Sequence, residues 1–566
     1  MKPPEAVLRK FRHVASRLPK RSWMSAGVIL FAFACTVLLM SSHAATPTAN
    51  YEVEAGTRSG NAGLASDSGA SGGTAVKFGG SATGSDPLNL PLDPWWTGGN
   101  NFYKQFPAAD AYGWSDPSFF PVVAFATNGD HADEVANMNN LGINTIITGA
   151  YDHTALKANH ISVISEDYAP PATATDVVAY YLDDEGDGKY DNGYGDMNIS
   201  GSGANESFSC ATSTGCGFTE TVYLNSKKRS GSTNVLSPFT NALTNGGGRM
   251  RYNGYTGGII GGETKYAPFI NDNLPATQRI NSTTSVSVDS SYVGKKFQDI
   301  IGADRYWYEF SNILCPGSIY KTAGYEPDIL NCPRASAYGR NVDNMRRMDS
   351  LDGAYQPLAS DVELGCNESG GTPCISLGGI GGAMWSSTIH GGMMAFYFPN
   401  YGYQCNGSTW SGGYNPVRYC NATTTMGSLL KNLNTQFRTL APVLNSPTLM
   451  YNSYQDTDDG NAATIDRSNY SSAGYTESKF NKNLDTMLKW YDGSYYLFSM
   501  INVNANPGSY QFTLPAGLNA SSVQVLYDND DMPGTASSRT IPVNGGAFTD
   551  SFAHEYTSHI YKITPT

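Results

Sequence analysis

Charge is scarce in this chain. Only 15% of its 566 residues are Asp, Glu, Lys or Arg, and the 36 basic residues are outnumbered by 49 acidic ones. Binding to nucleic acid or to an anionic membrane surface needs a basic excess, so a formal net charge of −13 argues against both as partners. Histidines number eight and do not cluster, and no two cysteines have C-x-x-C spacing, which removes the usual frame for zinc. No glycine-rich phosphate turn follows the first strand candidate, which argues against a dinucleotide site. Long apolar runs are missing too, apart from residues 23–40.

That run follows seven basic residues within the first 21 and precedes "SSHAAT". A basic start, an apolar middle and small residues such as Ser42 and Ala44 read as an export signal over residues 1–45, and 18 apolar residues also suffice to remain as an anchor. Losing residues 1–44 removes seven of the 36 basic and one of the 49 acidic residues, leaving 29 and 48 and a net of −19. The expected location is secreted or cell-surface, with membrane contact only through that segment. Cys35 lies inside the run; the other eight cysteines fall as neighbours, 210 with 216, 315 with 332, 366 with 374 and 405 with 420. In an oxidising compartment the simplest pairing is four local disulfides.

Against this low charge stand 12% aromatic residues and 61 glycines, with many Asn, Ser and Thr. Such a surface suits neutral carbohydrate, because aromatic faces stack on pyranose C–H groups while amides and carboxylates bind hydroxyls.

Residues 46–92 are Gly/Ser-rich and contain "YEVEAGTRSGNAGLASDSGASGGTAVKFGG", with short strands expected at 51–54 and 75–78. This stretch resembles the opening of carbohydrate-binding modules related to family 6. It covers about thirty residues, whereas such a sandwich needs about a hundred, so a fragment of a module is expected.

Over residues 93–447 β-branched runs alternate with helical segments. "FFPVVAFA", "INTIITGA", "ISVISED", "VVAYYLDDE", "GRMRYNGYTGGIIGG", "FQDIIGADRYWYE", "QPLASDVELG" and "MMAFYFPN" supply eight strand candidates. Helices are expected in "HADEVANMNNLG", "GGAMWSSTIHGG" and "MGSLLKNLNTQFRTLAPVL" among others, the last with Leu429, Leu433, Phe437 and Leu440 on one face. This is the count of an α/β (β/α)8 TIM barrel, and the short "YAPPATATD" leaves its third helix reduced. From 448 to 566 short alternating strands, with an Asp492-Gly493 hairpin turn, predict an antiparallel β-sandwich.

Barrel sites lie at the carboxyl ends of the strands. On strand four, outward Leu182 leaves Asp183 and Glu185 inward; on strand seven, outward Leu358, Ser360 and Val362 leave Asp361 and Glu363 inward. Two carboxylates across an aromatic cleft can divide the work of glycoside hydrolysis, one as acid and one as nucleophile. Glu185 and Glu363 are therefore the candidate catalytic residues. Asp183, Asp184, Asp304, Tyr306, Trp307, Asp361, Trp385 and Tyr397 are the candidate substrate-binding residues, and His390 reads as structural.

The motifs "GINTIITGAYD", "VVAYYLDDE", "IIGADRYWY", "QPLASDVELG" and "MWSSTIHGGMMAFYFPN", followed by a β-sandwich, resemble the strand ends of (β/α)8 glycoside hydrolases of the clan A type. The resemblance implies an exported retaining glycosidase acting on a poly- or oligosaccharide, monomeric and needing no cofactor, with Glu185 as acid/base and Glu363 as nucleophile. The clan usually has Asn before the acid/base, and here Asp184 stands there. The alternative expectation is a non-catalytic cell-surface carbohydrate-binding protein on a degenerate barrel.

Calcium is a separate expectation for "DDEGDGKYDNGYGD". Asp183, Glu185, Asp187 and Gly188 mimic the start of an EF-hand loop, but its twelfth position is Tyr194 instead of Glu. A less regular structural calcium site would use Asp187, Asp191 and Asp196.

Overall fold

The structure is a computed structural model. It describes residues 62–66, 74–78, 86–93, 98–125, 129–166, 170–171, 173–181, 197–200, 207–210, 248–255, 299–304, 306–309, 333–339, 341–342, 356–366, 374–399, 402–408, 414–449, 483–503, 505–529, 532–534 and 538–566. The chain divides into two compact units, Met1–Phe78 and Gly79–Thr566.

In the first unit β1 (Ala62–Ser66) and β2 (Thr74–Phe78) form an antiparallel pair. β2 falls on the strand expected at 75–78; β1 lies between the two expected strands. Residues 51–54 and the apolar run 23–40 are outside the described residues, as is any further likeness to a carbohydrate-binding module.

The second unit is built around a closed barrel of eight parallel strands: β3 (Val122–Ala124), β4 (Thr145–Thr148), β5 (Ser162–Ser165), β6 (Val177–Tyr181), β9 (Met250–Tyr255), β10 (Ile300–Ala303), β11 (Leu358–Glu363) and β12 (Ala395–Phe398). β7 (Met197–Ser200) and β8 (Ser207–Cys210) pair with each other between strands four and five. Val123, Ile147, Ile164, Met250, Ile300 and Ala359 pack inside the barrel, while Val122, Ile146, Val163, Val177 and Val362 face its outer layer. Both faces are buried, which is why the strands read as continuous apolar runs. A register shift between β5 and β6 pairs Val163 with Val177 and Ile164 with Ala179, leaving Val178 as an extra residue, and Ala179 and Tyr181 then both face inward.

The described helices are α1 (Pro107–Ala111), α2 (Ala132–Asn140), α3 (His153–Ala158), α4 (Leu377–Ile389), α5 (Pro416–Tyr419) and α6 (Thr425–Leu444). α6 starts at an N-cap, where the Thr424 hydroxyl accepts from the Gly427 N–H, and buries Leu429, Leu433, Phe437 and Leu440 as the spacing predicts. Among the described residues between β5 and β6 there are turns and no helix. The carboxylate of Asp176 faces that side, within 2.7 Å of His153 Nδ1 and 3.8 Å of Lys157 Nζ. Tyr103, Ala109 and Trp114 close the amino end of the barrel, with Trp114 Nε1 donating to Ser162 Oγ.

Downstream lie β13 (Thr448–Leu449), β14 (Leu484–Tyr491), β15 (Ser494–Ile501), β16 (Gly508–Thr513), β17 (Ser522–Asn529), β18 (Ser538–Pro542), β19 (Ala547–Phe552) and β20 (Ser558–Ile563). Six form one antiparallel sheet, ordered β13-β14-β15-β20-β17-β18, and β16 pairs with β19. Leu497, Val525 and Tyr561 of the large sheet pack with Phe512, Phe548 and Phe552 of the small one, making a β-sandwich. The opposite face of the large sheet, with Met487, Phe498 and Met500, packs on the barrel's outer layer. Asp492 and Gly493, at φ 46° and 74°, form the expected two-residue turn between β14 and β15.

Disulfides join Cys366 to Cys374 and Cys405 to Cys420. Cys216, Cys315 and Cys332 lie outside the described residues.

Candidate functional site

Glu363 ends β11, opposite Phe398 on β12, and shares the inward face with Ala359 and Asp361. Its carboxylate is buried and well supplied with donors: the Tyr308 N–H gives to Oε1 at 3.0 Å, the Glu309 N–H to Oε2 at 3.1 Å, and the Tyr338 hydroxyl to Oε1 at 2.5 Å. All three donors favour the ionised form, but desolvation outweighs them and, helped by Glu309, pushes the carboxyl up to about 8. The Tyr338 phenol is held far above its ordinary range by burial and by the adjacent carboxylate.

Asp361 lies one inward position below, level with Phe396, and Asp304 follows the end of β10 at the same height, since Ala303 pairs with Ser360. Both aspartates are buried. Tyr306 stacks on Phe398, ring centroids 5.1 Å apart. The structure therefore gathers Asp304, Tyr306, Asp361 and Glu363 at the carboxyl end of strands six to eight.

Three expected substrate residues lie elsewhere. Tyr397 faces outward and donates its hydroxyl to Asn434 on α6 at 2.7 Å. Trp385 is sandwiched between Phe437 and Phe498, its indole N–H bonded to Gln436, so no face is left for a sugar. Trp307 is fully buried in the outer layer, with its N–H on Asn341. In each case a polar tip was satisfied by a core partner instead of being presented to the cleft. His390 is buried with Nε2 3.1 Å from Asp485 Oδ2.

Aromatic residues not singled out from the sequence take the inward places. Phe125, Tyr181, Tyr252 and Phe396 form a closed ring around the barrel axis, with successive centroids 5.4, 5.3, 5.8 and 6.4 Å apart. Phe398 sits 5.9 Å from Phe125, and these two remain partly exposed. Strict alternation along "AFYF" was the available signal: it turns Phe396 and Phe398 inward and Tyr397 outward. Gly302 is required beneath this layer, because a β-carbon there would overlap the phenol of Tyr252.

Glu185, Asp183 and Asp184 lie outside the described residues, as do Asp187, Asp191 and Asp196. Among the described residues no group of three or more His, Cys, Asp or Glu is placed to hold a metal ion.

No protein-family model matches the sequence, and no curated protein matches it. Solved structures do align along most of the chain. A GH30 endoxylanase from Clostridium papyrosolvens is 12% identical over 79% of this chain and 97% of its own, with a TM-score of 0.33. An alpha-amylase from Anoxybacillus is 9% identical over 84% and 97%, at 0.35. A maltogenic alpha-amylase from Thermotoga neapolitana is 9% identical over 80% and 100%, at 0.37. Scores this low carry no argument of their own, and the chain is placed among (β/α)8-barrel proteins by its own closed ring of eight parallel strands.

Proposed function

We propose that the protein is an exported glycoside hydrolase that cleaves an O-glycosidic bond in a poly- or oligosaccharide by a retaining, two-carboxylate mechanism. The observation that carries this reading is the inward Glu363 carboxylate at the end of strand seven, held by three donors beside Asp361 and Asp304. Ala359, Asp361 and Glu363 share the inward face of β11, and Tyr181 faces inward at the described end of β6; the sequence alternation expected beyond Tyr181 is the ground for assigning Glu185 as the partner.

In this mechanism Glu363, once ionised, attacks the anomeric carbon while Glu185 protonates the leaving oxygen; Glu185 then takes a proton from the water that releases the sugar. The two carboxyl groups would stand about 5–5.5 Å apart. The partly exposed rings of Phe125 and Phe398 would stack on the sugar, and Asp304 and Asp361 would accept from its hydroxyls. Neither step calls for a cofactor. The two disulfides fit an oxidising compartment. A monomer, an N-terminal export segment or anchor, and a structural calcium ion at Asp187, Asp191 and Asp196 belong to the same proposal.

A second reading, a non-catalytic carbohydrate-binding protein, is favoured by the burial of Glu363, which holds its carboxyl toward the neutral form of a structural group. The variants E185Q and E363Q separate the two. Under the first reading hydrolysis of aryl glycosides disappears in each while oligosaccharide binding survives. A wild-type protein that binds and never hydrolyses supports the second.

A further inference from the structure

A second, partly buried carboxylate, from the β-sandwich, grips the same two chain segments as Glu363. Glu555 lies between β19 and β20; its Oε1 accepts from the Tyr308 hydroxyl at 2.9 Å and its Oε2 from the Ala335 N–H at 3.0 Å. Tyr308 gives its N–H to Glu363, and Tyr338, three residues after Ala335, gives its hydroxyl to the same carboxylate. Each segment is thus bonded both to the barrel strand and to the sandwich. Arg334 adds a further tie, donating to the carbonyls of Val503 and Ala505. The Glu555 loop is itself fixed on α4: a β-carbon on Gly382 would come within 2.6 Å of the Tyr556 carbonyl oxygen, so the two backbones meet where only glycine fits.

We propose that Glu555 is a positioning residue for Glu363: it holds the Tyr308 phenol and the Ala335 N–H so that the Tyr308, Glu309 and Tyr338 donors stay aimed at the Glu363 carboxylate. The catalytic consequence rests on the glycosidase reading; the positioning itself does not. The sandwich is then part of the site's support as well as a neighbouring domain.

The test uses the full chain and the variants Y308F and E555A. Y308F removes one hydroxyl and keeps every backbone donor, so it serves where E555A disturbs folding. Amide exchange by mass spectrometry should speed up about tenfold across residues 306–309 in both variants, while β15 and β20 keep their protection. Carboxyl titration with ¹³C-labelled glutamate, the Glu363 signal assigned by its loss in E363Q, should move upward, because donors that favour the ionised form are lost. If the wild type hydrolyses an aryl glycoside, kcat should fall about tenfold in Y308F at unchanged KM. Unchanged exchange and an unmoved Glu363 titration in Y308F would overturn the proposal. Absence of hydrolysis by the wild type counts against the glycosidase reading alone, and the exchange and titration still decide this one.

Discussion

At the scale of single residues, Glu363 combines burial with three donors, and its titration should appear in two measurements. As a nucleophile it must be ionised, so kcat/KM should fall as pH drops below about 8 and the acid limb should vanish with activity in E363Q, which should lose about 10³-fold or more. In stability the sign is opposite. The folded protein keeps the proton up to about 8 and the unfolded chain releases it near 4.5, so the folded state binds more protons between those values and stability falls as pH rises through them. Thermal unfolding of E363Q across that window should lose this part of the decline. A second residue-scale expectation concerns Gly302. G302A forces a β-carbon into the Tyr252 phenol and should cost about 1–3 kcal/mol in chemical denaturation, with partial recovery in G302A/Y252L. Glu363 and Asp361 could be placed from sequence because alternation along "LASDVE" is unbroken, but their partners could not: Tyr308 and Tyr338 lie 55 and 25 residues away in sequence, and only the closed barrel brings them to this carboxylate.

Among elements, strand eight shows how alternation governs function. Y397F removes a hydrogen bond to Asn434 in the outer layer and should cost about 1 kcal/mol of stability with KM unchanged, whereas F398A should raise KM for an oligosaccharide with little change in unfolding temperature. Steady-state kinetics and thermal unfolding on the same preparations distinguish the two faces. Trp385 departs from the expected cleft position for a related reason: an apolar helix with an indole looks alike in sequence whether it faces a cleft or a second sheet, and here Phe498 of the sandwich covers it. The eight barrel strands and α6 were legible because their runs are long and regular. β1 was not, since "AGLAS" is small and weakly patterned and is defined by its pairing with β2. At the corner where α6 gives way to the sandwich, Lys489 on β14 donates to Ser446 O and Thr448 Oγ1, and burial lowers its ammonium to about 7 despite Asp93. Because the unfolded chain holds that proton up to its ordinary value of 10.5, stability should rise with pH between about 7 and 10.5, and K489M should flatten this rise in melting experiments.

At the scale of the whole molecule, the barrel and sandwich share one outer-layer core, in which Trp385 and Phe437 meet Phe498. Among the described residues, aromatic rings from strands one, four, five and eight fill the barrel interior, Phe125 and Phe398 staying partly exposed, and acids collect on strands six and seven. Such an arrangement suits hydrolysis of a neutral sugar polymer in an oxidising compartment, and the low charge of the chain agrees with it. The central claim is that Glu363 is the nucleophile of a retaining glycosidase. The most direct measurement is to treat the active protein with a panel of 2-deoxy-2-fluoro glycosides carrying a good leaving group and to map the trapped adduct by peptide mass spectrometry. The account predicts a covalent glycosyl ester on Glu363. An active enzyme labelled on a different residue, or one whose hydrolysis survives in E363Q, would contradict it.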